Sequence, residues 1–172
     1  SNRVHLTDLF ALVAGVELDP VDFHFSNNDL QKTEHVLSKQ YVVVQLGASQ
    51  DHKTCTDRDW AAALSNILES YNGQIIFIGS EAEFARIETL GLPQDRYVNL
   101  SGKTKPAELF PIIKGAQLLI GCDSMAQHIA SLTQTPTLNV SFSSVRFWET
   151  GPRAPRSCVL WFENRESVDA QK

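Results

Sequence analysis

From residue 41 onward, short β-branched runs alternate with amphipathic helical segments, and that alternation leaves few folds open. Tyr41-Val-Val-Val-Gln-Leu46 is a short β-branched run that stops at Gly47. Such a run reads as a strand covered on both faces, as parallel strands are. Thr56 to about Tyr71 follows as a helix. Thr56 and Asp59 have capping-box spacing, with Asp in place of the usual Glu. Trp60, Leu64, Ile67, Leu68 and Tyr71 then fall on one face, and Gly73 closes the segment.

The pattern repeats. Gln74–Ile78 is a buried strand, Glu81 to about Leu90 a helix stopped by Gly91 and Pro93, and Tyr97–Leu100 a short strand. Thr104 can cap a helix with Pro106 in its first turn. Leu109, Phe110, Ile112 and Ile113 form its apolar face, and Gly115 ends it. Gln117–Ile120 is a strand, Ser124 to about Leu132 a helix, Pro136–Phe142 a strand, and Cys158–Phe162 a last, edge strand. Repeated β-α-β units imply an α/β, Rossmann-like, three-layer parallel sheet. Trp60 and Phe110 lie on apolar faces and belong to the core.

Residues 1–40 behave differently. Leu6 to about Val13 reads as a short helix ended by Gly15; Asp19-Pro20 to Phe25 reads as extended; Ser26 to Ser38 is a polar linker or surface helix. No apolar run approaches the roughly 20 residues of a membrane helix. Ser1-Asn2-Arg3-Val4-His5 lacks the sections of a signal peptide. A cytoplasmic chain is therefore expected. Ser1-Asn2 reads as a cloning remnant, so the natural protein is expected to extend further upstream.

The net charge of −5 and the absence of a Lys/Arg run make nucleic acid a poor partner. Cys55, Cys122 and Cys158 are odd in number and far apart, which favours reduced thiols over a disulfide framework or zinc. Asn99-Leu-Ser and Asn139-Val-Ser match glycosylation sequons, but both fall at or in strands and read as chance.

Ligands of parallel sheets bind beyond the C-terminal strand ends, so the site chemistry is expected in the loops there. In the first, Gly47 permits a sharp exit or close approach. Lys53 precedes a helix N-terminus, which makes it either a diphosphate clamp or a solvated loop lysine. In the second, Glu81 or Glu83 can take ribose hydroxyls, or both are first-turn acids that complement the helix dipole. In the fourth, Asp123 or Ser124 can cap a helix whose N–H groups point at phosphate, and His128 shares that face one turn on. There is no G-x-G, no G-x-x-x-x-G-K-[ST] (although Gly102-Lys103-Thr104 is similar to its tail), no G-x-S-x-G and no H-E-x-x-H.

Gly47-Ala48-Ser49 with Lys53, Asn99-Leu-Ser-Gly-Lys-Thr104 followed by Ala107-Glu-Leu109, Gly121-Cys-Asp123-Ser124 with His128-Ile-Ala130, and Thr137 to Phe142 together resemble glycosyltransferase family 9, the ADP-heptose:lipopolysaccharide heptosyltransferases and relatives. Arg3-Val-His-Leu-Thr-Asp8 with Gly15 is similar to the stretch joining that family's two domains. The resemblance implies the C-terminal half of a two-domain GT-B fold. Residues 1–40 would be the linker or start of the domain, and 41–172 the nucleotide-sugar-binding domain. It implies a donor site of Gly47, Ser49, Lys53, Glu83, Asp123, Ser124 and His128. Lys53 would take the diphosphate, Glu83 the ribose, and Asp123, Ser124 and His128 the phosphate and sugar region. The implied donor is a nucleotide sugar, ADP-heptose-like, with no cofactor and no metal. The implied partners are the N-terminal acceptor domain, which carries the catalytic base, and a glycan acceptor at the face of the inner membrane. The expected function is donor binding for an inverting transfer to lipopolysaccharide or another surface glycan, inactive without the other half.

The chain departs from the family pattern at Cys55 (usually Trp), Met125 (usually Gly) and Ser143 (usually Gly). These departures motivate an alternative: a degenerate, non-catalytic interaction module. A sugar-nucleotide epimerase of related fold is a third option.

Overall fold

The computed structural model describes residues 4–18 and 40–163. The sheet is parallel throughout. Its strands are β1 (Tyr41–Gln45), β2 (Gln74–Phe77), β3 (Tyr97–Asn99), β4 (Leu119–Cys122), β5 (Thr137–Phe142) and β6 (Cys158–Phe162), in the order β3-β2-β1-β4-β5-β6. The chain builds outward from β1 to β3, returns to the other side of β1, and builds out to β6. The reversal leaves a crevice at the carboxyl ends of β1 and β4, where ligands of such sheets bind.

Alternation along β1 supplies both cores at once. Val42 and Val44 face one side, with Trp60, Leu64 and Leu68 of α2 (Asp57–Ser70) and Ile87 of α3 (Glu81–Glu88). Tyr41 and Val43 face the other, with Leu109, Ile112 and Ile113 of α4 (Pro106–Lys114) and Ile129 and Ala130 of α5 (Met125–Thr133). Each fully buried side chain of this size contributes roughly 1.5–3 kcal/mol relative to exposure. The three-layer α/β expectation holds, Trp60 is core, and β6 is an edge strand.

Local signals explain several boundaries. Thr56 accepts the Asp59 N–H at 3.2 Å while Asp59 Oδ2 accepts the Thr56 N–H at 3.3 Å, which completes the capping box. The first helix, α1 (Leu6–Ala14), ends at Gly15 in the left-handed region, φ 66°. It is tied to the body by His5, whose Nδ1 accepts the Thr7 N–H while Nε2 meets the Gly151 carbonyl at 3.2 Å, and by the Asp8–Arg153 pair at 2.9 Å.

Three expectations need correction. Thr104 does not cap α4: Lys105 holds that position, and Glu108 accepts its N–H at 2.8 Å. The fourth strand runs from Leu119 to Cys122 rather than from Gln117 to Ile120, because Gly121 and Cys122 pair with Asn139 and Val140. Gly73 does not end α2 by a left-handed turn; the helix stops at Ser70, and Gly73 leaves room for the Tyr71 ring. The segments expected at Asp19–Phe25 and Ser26–Ser38 lie outside the described residues.

Candidate functional site

The crevice between β1 and β4 opens into a cleft of about 570 Å3. Gly47, Ser49, Glu83, Asp123, Ser124 and His128 all line it, so the structure brings together six of the seven residues singled out in the sequence. The seventh, Lys53, stands at its edge with the ammonium turned toward the β4–α5 turn.

The loop after β1 is closed on itself. The Thr54 hydroxyl donates to the Leu46 carbonyl, and a single 3-10 turn spans Asp51–Lys53. This holds Lys53 close to the loop's start. Its Nζ lies 3.3 Å from Asp123 Oδ2, both side chains being about one-fifth exposed. The ammonium and the start of α5 therefore share one edge of the cleft. His128, exposed on α5, adds an imidazole one turn further along the same wall.

Glu83 is 8% exposed and accepts three hydrogen bonds. Oε1 accepts the Gly47 N–H at 2.7 Å, and Oε2 accepts the Ser80 N–H at 2.8 Å and the Ser80 hydroxyl at 3.0 Å. The carboxylate thus clamps the loops after β1 and β2 together at the head of α3. The close approach that Gly47 permits is to this carboxylate: a Cβ at Gly47 would stand 2.5 Å from Oε1. Oε2 is saturated by its two partners, whereas Oε1, with one, retains a lone pair. Glu81, the other candidate, does not line it.

The Asp123–Ser124 turn is held from behind by a buried amide relay. Gln127, 1% exposed, donates through Nε2 to the Cys122 carbonyl at 2.6 Å and accepts from Asn139 Nδ2. Asn139 Oδ1 in turn accepts the Ser141 hydroxyl at 2.6 Å. From the front, Gln45 Oε1 accepts the Ser124 hydroxyl at 2.8 Å. Lys103, of the segment similar to a phosphate-loop tail, points elsewhere: its Nζ donates to the Asn99 carbonyl at 3.2 Å and lies 4.3 Å from the centre of the Phe84 ring.

The family model for glycosyltransferase family 9 (heptosyltransferase) matches residues 4–172. The chain belongs to glycosyltransferase family 9. It is 32% identical over 133 residues to lipopolysaccharide heptosyltransferase 3 of Escherichia coli, an alignment that covers 74% of this chain and 38% of that protein. A glycosyl transferase family 9 structure from Veillonella parvula superposes with a TM-score of 0.78 at 15% identity, covering 94% of this chain and 50% of that one. The Escherichia coli heptosyltransferase WaaC with ADP gives 0.70 at 16% identity, covering 95% and 52%. Those two likenesses establish the fold. The chain spans about half the length of these structures and less of the curated relative.

Within this family 9 chain, sequence reasoning missed Gln45 and Gln127. A polar residue in an otherwise apolar strand end was the available signal, since buried amides require partners. Met125, one of the three departures from the family pattern, is 53% exposed and forms part of the cleft wall without filling it. Among the described residues no group of three or more His, Cys, Asp or Glu is placed to hold a metal. Among them, too, no helix is long and apolar enough to cross a membrane.

Proposed function

We propose that this chain is the donor-binding, C-terminal half of an inverting GT-B glycosyltransferase that takes an ADP-heptose-like nucleotide sugar for lipopolysaccharide or another surface glycan. The observation that carries this reading is the 3.3 Å pairing of Lys53 with Asp123, which sets an ammonium beside the N-terminus of α5 at the cleft's edge. A cation and open helix N–H groups are what a diphosphate needs. Structures of similar fold support the nucleotide: the Escherichia coli heptosyltransferase WaaC is seen with ADP and with ADP-2-deoxy-2-fluoro heptose.

In the transfer, the acceptor oxygen attacks the anomeric carbon from the face opposite the diphosphate. The bond from that carbon to the diphosphate oxygen breaks, and the electron pair leaves with the diphosphate. The acceptor proton passes to a base. Lys53 and the first-turn N–H groups of α5 stabilise the charge gathering on the leaving group, and such preorganised donors are often the largest catalytic effect. Glu83 presents the remaining lone pair of Oε1 to the ribose. His128 and Asp123 face the sugar side. The base comes from the other half of the protein, so this half alone binds donor without transferring it. The full protein works in the cytoplasm at the inner face of the membrane, where its glycan acceptor lies.

Calorimetry and thermal denaturation with ADP, GDP and UDP test the reading. ADP at one hundred times its dissociation constant should stabilise the chain by about 2.7 kcal/mol. No binding of any of the three at millimolar concentration overturns it. That outcome would favour the second reading, a non-catalytic interaction module, for which the Met125 side chain on the cleft wall is the specific observation.

A further inference from the structure

Ser124 holds the N-cap position of α5 but does not cap it. Its backbone is extended, φ −155° and ψ 172°, and its side chain accepts no first-turn N–H. A serine there ordinarily supplies that acceptor, as Thr56 does for α2. Here the hydroxyl donates to Gln45 Oε1 at 2.8 Å instead. The first turn of α5 is also without an acid, whereas α2, α3 and α4 each carry Asp or Glu in theirs. Helix α5 therefore meets the cleft with its positive end uncompensated by its own side chains.

Gln45 is the last residue of β1 and sits beside Gly121 of β4 in register. It reaches Ser124 across the strand ends while Gln127 grips the same turn from below. The front brace directs a hydroxyl; the rear brace fixes the backbone.

We propose that Gln45 is a positioning residue for the donor diphosphate. It draws the Ser124 hydroxyl away from α5, so the leading N–H groups of the helix, those of Met125 and Ala126, stay open to phosphate oxygens, while the Gln127 N–H goes to the Ser124 carbonyl at 3.3 Å. The inference rests on the donor-site reading above. It assigns a function to a strand-end glutamine that touches neither the reacting bond nor the base.

The test is a double-mutant cycle on the intact chain: wild type, Gln45→Ala, Ser124→Ala and the pair. ADP affinity is read by calorimetry and ligand-free stability by thermal denaturation. In Gln45→Ala the released hydroxyl turns to cap α5. ADP binding should weaken about fivefold, the worth of one cap, while the ligand-free melting temperature holds or rises. Adding Ser124→Ala should then restore most of the lost affinity, although the same change in the wild-type background improves nothing. A purely structural role predicts the reverse: a lower melting temperature and no recovery in the pair. That result, or unchanged ADP affinity in Gln45→Ala, overturns the proposal while leaving the donor site standing. Failure of the wild type to bind ADP overturns both.

Discussion

Lys53 Nζ and Asp123 Oδ2 stand 3.3 Å apart, joining the loop after β1 to the turn after β4 across the edge of the cleft. The pair is partly exposed, so its own contribution to stability is small. Its consequence lies in binding. A diphosphate arriving at this edge competes with Asp123 for the ammonium.

Lys53→Ala should therefore weaken ADP binding by about tenfold or more, the range for hydrogen bonds to charged groups. Asp123→Asn should do the opposite with ADP, strengthening it severalfold, because the ammonium is then uncommitted. The affinity of the wild type should also fall more steeply with salt than that of Lys53→Ala. Calorimetry at two ionic strengths reads all three. An Asp123→Asn variant that binds ADP more weakly would mean that Asp123 itself contacts the nucleotide.

Gly47 and Glu83 form an interlocked pair of a different kind. A Cβ at Gly47 would meet Oε1 at 2.5 Å, and one at Gly79 would meet Oε2 at 2.5 Å. Gly47→Ala should destabilise by about 1–3 kcal/mol through overpacking. Glu83→Ala should cost about as much by stranding the Gly47 and Ser80 N–H groups. The double variant should cost less than the sum, since deleting the carboxylate makes room for the methyl. Denaturant unfolding of the four proteins measures this coupling; strictly additive losses would contradict the packing argument.

These contacts show what the sequence could reveal and what it could not. Short-range signals transferred faithfully: Thr56 with Asp59, Gly15 after α1, and Pro106 in the first turn of α4 depend only on neighbours. The strand-end rule also brought Asp123, Ser124 and His128 to one cleft, because topology alone fixes where strand ends gather. Side-chain destinations did not transfer. Gln45 and Ser124 are 79 positions apart, and neither shows in sequence that it seeks the other. Helix α5 ends with Gln134 in the left-handed region at φ 58°, where local rules look for glycine. The strand expected to end at Ile120 continues through Gly121 and Cys122, because tertiary pairing keeps both within β4.

Tyr41 gives the fold an alkaline weakness. Burial raises its pKa, and its hydroxyl donates to the Ile112 carbonyl at 2.8 Å. Burial also raises Tyr71 and Tyr97. A phenol whose folded value lies above its unfolded value of about 10 stabilises the fold fully below that pH. Above it the unfolded chain has already released the proton, so stability declines as pH rises toward the folded value. Chemical denaturation between about pH 9 and 11 should show this decline. Tyr41→Phe should lower stability at neutral pH by about 1 kcal/mol and make the decline shallower. A slope unchanged by the substitution would remove Tyr41 as its source.

Met125 decides between the two readings of the cleft. It opens α5, where the family pattern usually has glycine, and its 53% exposed side chain lies on the cleft wall beside Ser124 and His128. An unbranched side chain with three rotatable bonds can swing aside, at the expense of its rotamer freedom. Met125→Gly removes that expense and opens direct approach to the N–H groups, while the loss of helix propensity, about 1 kcal/mol in a helix interior, is smaller at the first position. The glycine variant should bind ADP severalfold more tightly than the wild type, with a slightly lower melting temperature in its absence. Equal affinity would show that Met125 already stands clear. If neither protein binds ADP, the methionine is no obstacle to a donor site, because the cleft is not one.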